Sequence, residues 1–534
     1  MTHLGACTAL LIMAACGAGA RPPERAQMPP APAPVPTILP IAVQSATAPP
    51  PPVATIAAEN PVESPESPPN PAPEASPSVL RLHAVKGMPS ILNAPDKRTG
   101  KYLGYVRTGE FVALRKTTTV PGADCAGGFF AVEPRGYVCN DSFVSLNPSS
   151  EHVLAMAATA PKEGPYPYRY AVSNGAPMYN RLPTDGERKR FEAVFGPAGK
   201  YEKLSPFLAA HEDLAVDEPI TPTEAIPSFL EGRKMVRPGR AGLVRQKIPR
   251  GSMLSYTKAF TADGRTYLLS VDLTAVPADR VRAFKPSSFH GFWLRGEQTL
   301  PIAWFRQRPR PKWRKLGDGS FERLSESFPV RTSARLTGQT SEASGIKYLE
   351  TKEREGSDVV WVAEGDATVV EARTKLPFLV KEGQKWIIVS ITQGTLVAYE
   401  GLQPVYATLI SPGAGGIPVQ GIDPVKASTT PLGTFSITFK DRAATMSPEF
   451  GENRSFWIAD VPHTQYFKAP FALHAAYWHE RFGEPTSAGC VNLSPLDAEI
   501  VFQWTDPPVP PGWQGAVGAG ASENGPTTAV VIAR

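Results

Sequence analysis

Cys490 and His474 are the side chains whose types and spacing point most directly to chemistry. The thiol lies on a small-residue loop, Thr486-Ser487-Ala488-Gly489-Cys490-Val491-Asn492. It follows, by 490 − 474 = 16 positions, a histidine that ends an apolar run. A thiol needs a base to become a nucleophile, and imidazole titrates where that work is done at neutral pH. The competing assignments are an inert thiol and a packed core histidine. A structural cysteine normally sits in an apolar run, whereas Ser-Ala-Gly before Cys490 leaves room for a substrate to approach. The residues around the pair take supporting roles. Ser487 and Asn492 shape the loop, and the backbone N–H groups of Gly489 and Cys490 are candidate oxyanion donors. Tyr477, Trp478 and His479 are expected to line the pocket. His479-Glu480 lacks the His-Glu-x-x-His spacing and no second cluster supplies ligands, so no metal is expected.

A sheet must carry this pair. Trp386–Ile391, Thr395–Glu400 and Pro404–Ile410 read as strands with tight turns at Gln393-Gly394 and Gly401-Leu402. Thr434–Phe439 continues the sheet, and Ala472-Leu473-His474 puts the histidine at a strand end. After Cys490 comes a helix start: Ser494 at the N-cap, Pro495 at N1 and Asp497 at N3, with the helix running to about Trp504. The nucleophile therefore belongs to a loop between sheet and helix.

These residues resemble the catalytic signature of the YkuD-type L,D-transpeptidases, a His followed after about fifteen residues by Ser/Thr-His-Gly-Cys-hydrophobic-Asn/Arg. Thr429-Thr430-Pro431-Leu432-Gly433-Thr434-Phe435 is similar to the family's Thr-Pro-x-Gly-x-Phe segment. Trp457-Ile458, Asp460-Val461-Pro462 and Tyr466-Phe467 stand where the family has a similar stretch. The resemblance runs from near Trp386 to the end. It implies a cysteine nucleophile, Cys490, with His474 as general base. The implied reaction takes an acyl group from a peptidoglycan stem tetrapeptide with loss of D-Ala, and passes it to an amine. The resemblance implies no cofactor, and it implies acylation by carbapenems. Two positions depart from the pattern. Ala488 stands where the family has its second His, and Ala475 where some relatives have Ser, so a backbone carbonyl is the expected orienting acceptor for the imidazole.

Composition sets the frame. Across 534 residues, 58 prolines are too many for one uniform fold. A net charge of +5 is too small to imply nucleic acid as a partner. Residues 1–20 hold a short apolar run ending at Cys16 and resemble a lipoprotein signal. Cys16 would then be the lipidated residue anchoring the chain to a membrane in the periplasm; the alternative is an ordinary cleaved signal peptide. Residues 21–78 are a Pro/Ala-rich disordered linker, able to reach roughly 180 Å if fully extended. Residues 79–150 carry closely spaced short strands and resemble an SH3-like small β-barrel, a module that in envelope proteins binds wall peptides or glycan. Cys125 and Cys139 flank its expected hairpin. They are either two free thiols or a disulfide closing about fifteen residues, worth roughly 3 kcal/mol.

Residues 151–380 form an accessory region of mixed β/α character, with a hairpin at Asp263-Gly264 and helices over Arg188–Phe195 and Pro206–Val216. Its basic run Arg306, Arg308, Arg310, Lys312, Arg314, Lys315 alternates and reads as a solvated strand or loop rather than a nucleic-acid patch. Residues 381–534 are the catalytic part. The fold class is multidomain, mainly β with some α. Two other functions fit less well. One is a wall-binding scaffold weakened by Ala488. The other is a papain-like wall peptidase, in which the Cys would precede the His.

Overall fold

The computed structural model describes residues 80–233, 242–447, 456–518 and 526–534. Cys16, the expected signal segment and the expected Pro/Ala-rich linker lie outside the described residues. Among those described, no helix is long and apolar enough to cross a membrane.

Around Cys490 and His474, two sheets pack face to face. One runs in the order Phe292–Trp293, Gln403–Leu409, Thr395–Glu400, Lys385–Ser390, Ala529–Ala533, Gly433–Ser436. The first three expected strands are present to within a residue, whereas the expected Thr434–Phe439 ends at Ser436 and Phe439 opens a strand of the other sheet. The C-terminal strand Ala529–Ala533 runs parallel to Lys385–Ser390. The second sheet contains Phe439–Met446, Ile458–Lys468, Phe471–Ala475 and Val491–Leu493. Ile387, Val389 and Leu396 from the first sheet meet Leu473, Ala475 and Val491 from the second, all at most 3 % exposed, in one apolar core. The Pro495–Trp504 helix closes this core with Ala498 and Val501. Its cap is as the sequence predicts: the Ser494 side chain accepts from Asp497 N at 3.1 Å.

The segment from Arg81 to Ser145 is β throughout, and Cys125 and Cys139 form a disulfide there. It is not a self-contained unit. Tyr102–Tyr105 pairs with Gly515–Val517, and Leu82, Ile91 and Val112 share a core with Phe502, Trp513 and Ala516 from the C-terminal end.

The accessory region is more β-rich than its sequence suggests. The expected hairpin is Met253–Ala262 with Arg265–Ser270, turning through Asp263 (φ 47°) and Gly264 (φ 70°), the left-handed pair a two-residue turn requires. The first helix covers Asp185–Glu192, three residues earlier than expected, because Thr184 and Glu187 form a capping box that fixes its start. Pro206–Glu212 is 3₁₀ rather than α. Within a seven-stranded sheet, four of the run's six residues, from Arg310 on, lie on the strand Arg310–Lys315. Carboxylates answer three of its six cations: Arg310–Asp366 at 2.5 Å, Lys312–Glu326 at 3.0 Å and Arg314–Asp358 at 3.0 Å.

Candidate active site

His474 sits on Phe471–Ala475, between two neighbours in the sheet. Ile458–Lys468 pairs antiparallel on one side and Val491–Leu493 parallel on the other, with His474 opposite Asn492. Cys490 immediately precedes that second strand, two positions before Asn492. Cys490 itself stands in the bend that follows Gly489, its Sγ 3.9 Å from the Pro470 carbonyl oxygen, in the turn just ahead of the His474 strand. His474 is buried; Cys490 is half-buried and, among the described cysteines, is the one outside the disulfide.

The tautomer of His474 is set locally. Its Nδ1 lies 3.0 Å from the Ala475 carbonyl oxygen, which can only accept. The proton is therefore on Nδ1, and Nε2 presents a lone pair. The expected orienting carbonyl is thus that of the next residue. Burial depresses the imidazole pKa to about 4, with the Ala475 hydrogen bond opposing weakly. At neutral pH the ring is a neutral base, and once protonated it returns its proton readily.

The Cys490 loop is held from three sides. Thr486 N and Ser487 N donate to the Pro412 carbonyl at 2.9 and 3.1 Å, and Ala414 N donates to the Ser487 carbonyl at 2.8 Å. Ser487 Oγ donates to the Cys490 carbonyl at 2.5 Å and accepts from Gly489 N at 3.1 Å. Gly489 has φ +118°, and a Cβ there would come 2.7 Å from Phe471 Cε1 and 3.0 Å from the Thr429 carbonyl oxygen. Only glycine fits. The Thr429-Thr430 segment thus packs directly on the loop that bears the thiol. Because Gly489 N–H is engaged by Ser487, the Cys490 N–H is the better-placed oxyanion candidate of the two.

Three aromatic neighbours part company. Trp478 stays beside the base, its ring 6.1 Å from that of His474. Tyr477 does not line a pocket. It is fully buried, stacked on Tyr170 of the accessory region at 3.8 Å, with its hydroxyl donating to the Ala459 carbonyl. An apolar ring with a satisfied hydroxyl is more stable in that core than at a wet cleft. His479 is also fully buried, and burial lowers its pKa to about 3.

His479 and Asn492 carry a donor–acceptor constraint. Arg481 N–H donates to His479 Nδ1 at 3.1 Å, so the neutral ring holds its proton on Nε2. That Nε2 lies 2.9 Å from Asn492 Nδ2, which is also a donor, while Asn492 Oδ1 is buried without a partner. Turning the amide over resolves both faults: Oδ1 accepts from His479, and the NH₂ group takes the opposite side. The expected NMR result is a His479 ring protonated at Nε2 and unprotonated at Nδ1 from pH 5 to 8; protonation at Nδ1 would contradict it.

Other supports were not visible in the sequence. The segment after His474 is clamped by the accessory region: Arg481 forks onto Asp213 at 2.5 and 2.7 Å, and Glu480 takes Arg331 at 2.9 Å and Ser287 Oγ at 2.6 Å. Asp497 is buried at the helix start, where it accepts from Tyr406, Thr408 and Gly291 N at 2.6–2.7 Å. Burial raises its pKa against those bonds. No local pattern announces contacts between residues so far apart in the chain.

Residues 384–532 match the family model of the YkuD L,D-transpeptidase catalytic domain. A putative L,D-transpeptidase, YciB of Bacillus subtilis strain 168, is 24 % identical over 129 residues, 23 % of this chain and 62 % of the relative. The chain therefore spans less than two thirds of that relative's length. Solved structures include an L,D-transpeptidase from Stackebrandtia nassauensis, with 21 % identity, TM-score 0.19, and 28 % of this chain and 56 % of that one covered. The catalytic domain of the E. faecium L,D-transpeptidase gives 17 % identity and TM-score 0.19, covering 28 % of this chain and 98 % of that one. Cys490 and His474 both lie within the residues that match the YkuD L,D-transpeptidase catalytic domain model.

Proposed function

We propose that this chain is a cysteine-type L,D-transpeptidase of the bacterial cell envelope, acting on peptidoglycan. The observation that carries the reading is the parallel pairing of the His474 strand with the strand leading out of Cys490, inside the matched domain. The Cys490 thiol passes its proton to His474 Nε2, and the sulfur attacks the carbonyl between a diamino acid and the terminal D-Ala of a stem tetrapeptide. The oxyanion is met by the Cys490 N–H. The C–N bond then breaks, the imidazolium returns its proton to the departing D-Ala amine, and a thioester remains. An acceptor amine attacks the thioester, loses a proton to His474, and leaves with the acyl group while the sulfur recovers the proton. The acceptor is a second stem, giving a 3→3 cross-link, or an amine on a protein. These steps need no cofactor.

Anchoring through Cys16, a periplasmic location, and glycan contact by the 79–150 module complete the proposal. The test is D-Ala release from purified disaccharide tetrapeptide. The full chain is expected to release D-Ala and form cross-linked dimer, and Cys490→Ala to release none. Wall binding without D-Ala release by the unaltered chain would favour the scaffold reading instead.

A further inference from the structure

A cavity of about 650 Å³ opens in the accessory region, lined entirely by residues between Asn174 and Arg250 and so outside the matched domain. Its volume lies in the range of small-molecule and peptide sites. Phe195, Ile248 and Pro249 give it apolar walls, while the exposed Lys200, Lys247 and Arg250 border it.

The walls are preformed. Gly175 has φ +96°, and a Cβ there would come 2.9 Å from Phe195 Cδ1, so the glycine lets the ring lie flat against the backbone. Arg280 sits 5.3 Å from the Phe195 ring centroid and is itself held by Glu192 at 2.5 Å. The loop carrying Lys200 is tied down from three directions. Asn174 Nδ2 donates to the Lys200 carbonyl at 2.7 Å and Tyr201 OH to the Val281 carbonyl at 3.0 Å; Arg250 donates to the carbonyls of Glu202 and Lys203 at 2.5 and 2.6 Å. A binding surface held this way loses little entropy when a ligand arrives.

The charge is one-sided. Glu202 answers Arg250 at 2.9 Å, but Lys200 and Lys247 have no carboxylate partner among the described residues. Two unanswered ammonium groups beside an aromatic wall select a ligand with anionic groups and an apolar body. We propose that this cavity binds a short carboxylate-bearing peptide, its carboxylates on Lys200 and Lys247 and an apolar side chain on Phe195. Naming that peptide as a wall stem rests on the proposed function; the preference for an acidic, partly apolar peptide does not. Such a site would hold polymer on the accessory region while Cys490 acts on it.

The test is hydrogen–deuterium exchange on the full chain bearing Cys490→Ala, with disaccharide tetrapeptide as the probe. Segments 194–202 and 246–250 are expected to gain protection. The added Lys200→Gln and Lys247→Gln changes should raise the peptide concentration for half-protection at least tenfold. Both lysines are exposed, and an unchanged melting temperature would show that the variant is folded. Absence of protection at saturating peptide, or equal protection in the lysine variant, would overturn the proposal. Acylation of Cys490 in the unaltered chain is scored separately. Protection without acylation removes the proposed enzyme and keeps the cavity; acylation without protection does the reverse.

Discussion

Replacing His474 with alanine is expected to slow acylation of Cys490 by about 10²–10⁴-fold, the usual contribution of a positioned general base. The thiol remains in that variant and Gly489 still shapes its loop, so the loss reads the base alone. The pH dependence adds a second signature. Burial takes the imidazole from its ordinary 6.5 to about 4, so the neutral form persists well below pH 6. The acid limb of the acylation rate should therefore fall near pH 4 in the unaltered chain rather than near 6.5. In His474→Ala that limb should vanish. A limb at 6.5 would place a solvated histidine in the role. The same shift bears on stability: a group that resists protonation when folded leaves the unfolded chain binding more protons between pH 6.5 and 4. Folding free energy is then lost as pH falls through that window, by about 1.4 kcal/mol per pH unit for this residue.

Removing Arg107 is expected to destabilise the whole protein by about 3–5 kcal/mol, the cost of leaving a buried charge unpaired. Arg107 belongs to the N-terminal β unit and donates to Asp460 at 2.6 Å, with the Asp460 side chain 4 % exposed. The other Asp460 oxygen is bonded by Ser255, and its carbonyl accepts from Tyr170 at 3.0 Å, both from the accessory region. One carboxylate of the catalytic domain thus joins three stretches of chain. Asp460 also holds φ +44°, a conformation that few side chains adopt, so its neighbours fix it against a local preference. Chemical denaturation of Arg107→Ala should show one transition at a lower midpoint. An unchanged midpoint would mean that the N-terminal unit contributes nothing to the catalytic fold.

That junction also marks where the sequence stops being informative. The catalytic strands were legible because alternation is local, and the helix after Cys490 because Ser494, Pro495 and Asp497 are a local cap. The turn at Asp263-Gly264 was legible for the same reason. The interlocking of the three regions was not. Gly104 opposite Ala516 and Arg107 on Asp460 are contacts across hundreds of residues, and a Gly in a short strand or an Arg just after it gives no sign of its partner. Tyr477 was misplaced for a related reason. Adjacency to His474 suggests the cleft, but Tyr477 lies in a bend beyond the strand, where its ring stacks on Tyr170 in the core. Thr184 and Glu187 form a local capping box, which starts that helix three positions before the expected Arg188.

The site itself divides the same way. The Cys–Gly–His pattern survives in sequence because the sheet register makes it local in space: strands next to one another carry residues 474 and 492 as partners. The clamps from Asp213, Ser287 and Arg331 have no such shorthand.

The most direct measurement is the intact mass of the full chain after incubation with a carbapenem, followed by peptide mapping. A single covalent adduct on Cys490, formed quickly by the unaltered chain and much more slowly by His474→Ala, is the predicted result. An unmodified Cys490, or an adduct formed equally fast without the imidazole, would contradict the account.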